Sequence, residues 1–240
     1  MKKKVKLNYI LPNFFTASSI FVAVLSIINA SNHHFEKASW FIILSLILDG
    51  LDGKIARLTK GESKFGIEFD SLADIIAFGV APAMLIYFQF GHNYGKLGTL
   101  IIALYVVLGA IRLARFNVTT QNIDSSIFIG LPIPAAALFL VSISLLDNKY
   151  NLTFIEPILL VVLLIVAILM VSHIRYNSFK KVNIPKALSF KTLIILILIC
   201  SIIYLYPIEI LSAIFISYVL YGPIRAIYSL NRWSKFKRKR

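Results

Sequence analysis

Eight mostly apolar stretches, each about 20 residues long, run through this chain at roughly 14–30, 38–58, 68–90, 97–116, 128–147, 154–173, 190–206 and 208–228. About 20 apolar residues are what an α-helix needs to cross a hydrocarbon core. A lone segment in lipid must satisfy its own backbone polar groups, so each stretch is expected to be helical. The chain is therefore predicted to be an all-α, polytopic membrane helical bundle with about eight transmembrane helices. It forms a single membrane domain over 1–240, divided into a six-helix core over 1–175, an additional C-terminal helix pair over 189–230 and a basic tail over 231–240. A hydrophobic share of 58% and a mean hydropathy of +0.81 exclude a water-soluble globule. The single cysteine, Cys200, excludes an internal disulfide and any cysteine-based metal cluster.

The net charge of +14 needs a location. Eight spans put both termini on one side, and 22 of the 25 Lys and Arg then fall on that side, leaving Lys37, Lys96 and Lys149 opposite. Cationic loops stay cytoplasmic, so both termini are expected there, in the cell membrane. The start Met1-Lys2-Lys3-Lys4 reads as the flank of the first span and not as a cleaved leader, because no small-residue cleavage site follows. The tail from Arg232 to Arg240 mixes cations with Trp233 and Phe236, as expected of an anchor on anionic membrane lipids. No polar, solvated body carries the charge, so nucleic acid is not an expected partner.

The informative residues are acids in or near the membrane. Asp49 and Asp52 close the second apolar stretch, and Asp70 and Asp74 open the third. On a helix, positions 49, 52, 53, 56 and 57 share one face, and 66, 70 and 74 form one stripe. The connection over 58–65 is short, so the two helices are antiparallel and their carboxylates converge near one membrane boundary. An Asp at a bilayer centre costs roughly 2.5–3.5 kcal/mol, less near the interface, and four need compensation that Arg57 alone does not supply. Hard divalent cations such as Mg²⁺, Mn²⁺ or Ca²⁺ suit an all-oxygen ligand set, and two of them form a clamp for displacement at phosphorus. Gly50, Gly53, Ala56 and Gly66 leave room for a phosphate or for close helix packing. A proton or ion pathway in a transporter is the competing reading of the acids.

The pattern Asp49-x2-Asp52-Gly53-x2-Ala56-Arg57-x8-Gly66-x3-Asp70-x3-Asp74 resembles, without departure, the signature of the CDP-alcohol phosphatidyltransferases. The resemblance implies that Asp49, Asp52, Asp70 and Asp74 hold two divalent ions, Mg²⁺ or Mn²⁺, at the cytoplasmic face. It further implies that Asp74 is the catalytic base, and that Gly53, Ala56 and Arg57 adjoin the CDP-diacylglycerol phosphates. Ser63, Asn13 and Thr16 are further nucleotide-contact candidates, and Asn13 equally suits the cap of the first helix. A homodimer is usual in the family.

Four further stretches, Leu11–Thr16, Arg112–Asn117, Gly130–Ala135 and Arg175–Lys180, look like the bacterial and archaeal phosphatidylserine synthases of that family. That branch implies transfer of the phosphatidyl group from CDP-diacylglycerol to L-serine. The second type of phosphatidylserine synthase uses His-x-Lys pairs, which are absent here. Serine carries a carboxylate, so its site needs a cation, and Arg112, Arg115 and Asn117 are the serine-binding candidates. Each Arg equally suits a snorkelling anchor. Glycerol phosphate as acceptor would also want cations, so phosphatidylglycerophosphate synthase stays open as the alternative.

Overall fold

A computed structural model describes residues 7–59, 61, 63–119, 127–177 and 190–237. The N-terminal lysines, Lys60, Lys180, Lys181, Lys186 and the last three residues of the tail lie outside them. The helices are α1 (Leu7–Ser31), α2 (Phe35–Thr59), α3 (Lys64–Asp74), α4 (Ala81–Gln89), α5 (Gly95–Thr119), α6 (Ile133–Tyr150), α7 (Glu156–Val171), α8 (Phe190–Leu205) and α9 (Pro207–Lys237). A π-helical turn, Ile75–Val80, joins α3 to α4 into one rod. Among the described residues, five segments are long and apolar enough to cross a membrane: Tyr9–Ser31, Lys64–Gln89, Gly91–Val118, Thr153–Val171 and Pro207–Ala226. The fold is thus a helical membrane bundle.

In lipid, helices gain little from burying apolar surface against one another, so close packing and hydrogen bonds must hold them together. The α1–α2 hairpin uses both. Ala23, Ala30 and Ala38 are fully buried and let the backbones approach. The Ser19 and Ser45 hydroxyls lie 2.8 Å apart, Ser45 Oγ donates to the Ser19 carbonyl at 3.0 Å, and Ser26 Oγ donates to the Ala38 carbonyl at 2.8 Å. Within the described residues helix α1 already runs from Leu7, about two turns before the expected residue 14. Asn13 therefore sits inside the helix and does not cap it.

The π-turn has an identifiable origin. Pro82 has no N–H to return to the Phe78 carbonyl, and the ladder widens there, with Ala81 N bonding Ile76 O. The released Phe78 carbonyl accepts from the fully buried Tyr105 hydroxyl at 3.1 Å. Beneath it, α6 is buried over most of its length and packs against α2, α4 and α9.

One element was not expected from the sequence. Strands β1 (Ile127–Ile129) and β2 (Arg175–Asn177) pair antiparallel, with Phe128 opposite Tyr176. Three residues are too few for a readable alternation of side chains. Gly130 follows β1 at φ 80°, where a Cβ would strike the Met170 carbonyl, so only glycine fits. Tyr176 is fully buried, donates to the Val219 carbonyl of α9 at 3.3 Å, and lies against Gly222. A Cβ at 222 would overlap the Tyr176 ring. Gly222→Ala is expected to destabilise the bundle by about 1–3 kcal/mol through overpacking, read as a lower thermal unfolding midpoint in detergent.

Candidate active site

The end of α2 and the start of α3 carry the acids, and the turn between them is short enough to bring both helix ends together. Ser63 caps α3, accepting from Gly66 N at 2.9 Å, which sets where the second helix begins. Carboxylate oxygens of Asp49, Asp52 and Asp70 then lie within 4.8 Å of one another. Asp74, one turn beyond Asp70, stands within electrostatic reach of Asp49. Asp52 is 5% exposed, and Thr16 Oγ1 donates to its Oδ2 at 2.6 Å. The motif's two carboxylate pairs thus form one cluster.

A divalent ion fits this cluster. Oxygens that share one Mg²⁺ or Ca²⁺ stand no more than roughly 4–5 Å apart, twice the metal–oxygen distance, and the three carboxylate oxygens lie within 4.8 Å of one another. Among the described residues no Lys or Arg forms a salt bridge with the four acids. Arg57 Nε instead donates to the Gly53 carbonyl at 2.9 Å. Three part-buried carboxylates this close, without a paired cation, form a donor set suited to a hard metal.

Beside the acids lies a cleft of about 410 Å³. Asn13, Thr16, Gly53, Ala56, Arg57 and Ser63, the six residues singled out for nucleotide contact, all line it together with Asp52 and Asp70. Asp49 and Asp74 are not among its lining residues. The glycines decide between packing and access. A Cβ at Gly50 or Gly53 would meet nothing within 4 Å, so no neighbouring helix demands their smallness. At Gly66 a Cβ would meet Ser63 Oγ at 3.1 Å and Asn13 Oδ1 at 3.2 Å, which makes this glycine the tight one.

The three acceptor candidates separate. Arg112 on α5 is 5% exposed, stands within electrostatic reach of Asp74, and keeps a buried Nε without a hydrogen-bond partner. Arg115 donates from Nη1 to the Val171 carbonyl at 2.8 Å, and from Nη2 to the carbonyls of Ile129, Met170 and Ser172 at 3.3–3.4 Å. Its guanidinium ties the end of α7 to β1, as suits a cation at a helix C-terminus. Asn117 is exposed and donates from Nδ2 to Ser71 Oγ at 2.8 Å, on the helix that carries Asp70 and Asp74. Sequence reasoning passed over the Pro12, Gly61 and Ile67 lining and the π-turn beginning one residue after Asp74. Pro82 was the available signal for that turn. Because Gly53 faces open space, Gly53→Leu is expected to leave thermal stability within about 1 kcal/mol of the parent. The same variant should lose most binding of a nucleotide-bearing ligand, measured by equilibrium binding of labelled CDP-diacylglycerol.

Comparison with known proteins bears on the same residues. The CDP-alcohol phosphatidyltransferase profile matches residues 9–160, which hold every acid of the cluster and the whole cleft. A Helicobacter pylori protein named CDP-diacylglycerol–serine O-phosphatidyltransferase is 50% identical over 222 residues, covering 92% of each chain. Proteins of the same name from Methanocaldococcus jannaschii and Bacillus subtilis are 41% and 36% identical, over 67% and 73% of this chain and 74% and 93% of their own. With the motif complete, its acids converged and the profile spanning well over half its length, the chain belongs to the CDP-alcohol phosphatidyltransferase family.

Proposed function

We propose that this enzyme transfers the phosphatidyl group of CDP-diacylglycerol to L-serine, giving phosphatidylserine and CMP. The observation that carries the acceptor is the buried Arg112 beside Asp74, a cation next to the acid that would activate the hydroxyl. The name carried by relatives from three distant organisms supports the same acceptor.

The donor is held in the cleft. Gly53 and Ala56 let the nucleotide phosphates approach the α2 backbone, and Arg57 swings from the Gly53 carbonyl to pair with them. Asn13, Thr16 and Ser63 offer polar contacts from the facing wall. Two divalent ions, Mg²⁺ or Mn²⁺, held by Asp49, Asp52, Asp70 and Asp74, supply neutralisation of phosphoryl charge when bound, and the family generally depends on them. Thr16 holds Asp52 in one orientation for that task. Serine enters from the α5 side, with its carboxylate on Arg112 and Asn117 at the mouth. Its Oγ forms the new bond to phosphorus while the bond to CMP oxygen breaks, and the hydroxyl proton passes to the Asp74 carboxylate. Arg115 acts by positioning α7 and β1, since its guanidinium is occupied by their carbonyls.

The working arrangement is an eight-span protein of the cell membrane, with both termini and the active site cytoplasmic. The distribution of 22 of 25 basic residues supports it. Residues 1–175 form the catalytic core, 189–230 an added pair and 231–240 a tail on anionic lipids. The family resemblance supports a homodimer.

Purified protein with CDP-diacylglycerol, Mn²⁺ or Mg²⁺ and labelled serine is expected to release CMP and form labelled phosphatidylserine. CMP release that requires glycerol 3-phosphate and ignores serine would replace the acceptor. No release with any alcohol, together with solute movement into sealed vesicles, would favour a transporter. Asp74→Asn should lower turnover by roughly 10²–10⁴-fold while sparing CDP-diacylglycerol affinity, as loss of a general base does. Asp49→Ala or Asp52→Ala should lose metal and donor binding together, measured by Mn²⁺ titration and labelled donor. Near-normal turnover in Asp74→Asn would refute its role as base.

A further inference from the structure

Asp74 is the residue at which the third rod stops being an α-helix. The π-turn Ile75–Val80 starts immediately after it, with Asp74 in helical geometry at the junction. In a π-turn each carbonyl pairs with the N–H five residues on, so the Asp74 carbonyl opens the widened ladder and the bond from Ala81 N to Ile76 O closes it. Its extra residue offsets the two halves of the rod by roughly 100° and 1.5 Å relative to an unbroken α-helix. Where Asp74 stands against the buried face of α4 therefore depends on whether this turn is wound.

Two contacts hold the turn. Tyr105 of α5, fully buried, donates to the Phe78 carbonyl at 3.1 Å, a carbonyl to which Pro82 has no N–H to return. The second contact is Ile133, fully buried at the start of α6. Its Cδ1 would lie 3.9 Å from a Cβ at Gly79 in the turn and 2.9 Å from one at Gly109 of α5, so this methyl fills the joint between them. Nearer the other end of α5, Asn117 Nδ2 donates to Ser71 Oγ at 2.8 Å. The later residue of α5 meets the earlier residue of the rod, so the two run antiparallel. Helix α5 is thus tied to the rod on both sides of Asp74, four residues after it at Phe78 and three before it at Ser71.

We propose that Tyr105 is a positioning residue for the transfer step: by holding the Phe78 carbonyl it keeps the π-turn wound and so keeps the Asp74 carboxylate on the acceptor hydroxyl. It acts through the backbone between Phe78 and Asp74, and it gains and loses no proton. This rests on the reading of Asp74 as the base, whose proton transfer and bond changes are unaltered. The Ser71 bond holds α3 further up, so relaxation of the turn falls first on Asp74, the residue at the junction. The donor cleft is lined from α3 only as far as Asp70, beyond that bond, and stays in place.

The test uses the full-length enzyme with CDP-diacylglycerol, Mn²⁺ and whichever alcohol the parent accepts, and reads kcat, equilibrium binding of labelled donor and the thermal unfolding midpoint. Tyr105→Phe is expected to lower kcat by roughly 10–100-fold, the scale on which a misplaced reacting group costs rate. It should also lower the midpoint, because the Phe78 carbonyl is left buried and unpaired. Donor affinity should stay within about twofold of the parent, which separates a lost transition-state arrangement from lost binding. Pro82→Ala supplies the N–H that closes the ladder as an α-helix. It should lower kcat comparably without lowering the midpoint, and it carries the test if Tyr105→Phe does not fold. In the double variant the midpoint should recover while kcat stays at the level of either single variant, since both changes act on one carbonyl. A double variant with parent kcat overturns the proposal, because the Tyr105 bond then only fills a gap. Two losses that multiply, an unchanged kcat in either single variant, or donor affinity falling in step with kcat also overturn it. Parent-like turnover in Asp74→Asn overturns the base assignment instead, a result read with Tyr105 intact.

Discussion

Charge in an apolar bundle is the constraint on which the rest of this structure depends. Three carboxylates within 4.8 Å, at the ends of helices built to sit in lipid, are costly for folding unless something compensates them. The bundle does not pair them with Lys or Arg among the described residues, which would satisfy the acids and close the site. It leaves Asp52 and Asp70 facing a cleft and fixes Asp52 by a neutral donor, the Thr16 hydroxyl. Such an arrangement stabilises a bound cation at the expense of the cation-free protein, which is what a metal-dependent phosphotransferase requires.

Around that cluster the helices are held by contacts that do not rely on hydrophobic burial. The α1–α2 hairpin carries two of the four acids and Thr16, and it is locked by alanine contacts and by Ser19, Ser26 and Ser45. The third rod carries the other two acids, and its π-turn starts at the residue after Asp74. Tyr105 closes the hydrogen-bond gap that Pro82 opens, so the distortion is supported from α5. Since α5 also bears Arg112, one helix both steadies the backbone behind Asp74 and supplies the cation beside it.

The site was largely legible in the sequence because its logic is helical. Spacing alone put 49, 52, 53, 56 and 57 on one face and 66, 70 and 74 on another, and all six nucleotide-contact candidates line the same cleft. What escaped was set by tertiary contacts. Helix α1 continues back through Pro12 to Leu7, so Asn13 faces the cleft from a helix interior, against the equal expectation of a cap. Arg115 and Arg112, one turn apart with identical chemistry, have opposite fates, because only Arg115 meets the free carbonyls at the end of α7. The β1–β2 ribbon is three residues per strand and leaves no periodic trace.

The motif treats its four aspartates alike, and the surroundings do not. Asp52 is buried and bonded to Thr16, Asp70 lines the open cleft, Asp49 lies near Asp74, and Asp74 alone also feels Arg112. In the proposed reaction, an acid that belongs to the cluster and lies within electrostatic reach of the Arg112 cation is the one placed to take the hydroxyl proton. The same proximity offsets part of the cost of burying Arg112. Asp74 is thus distinguished from its three companions by the helix it faces, α5, and not by its own place in the motif.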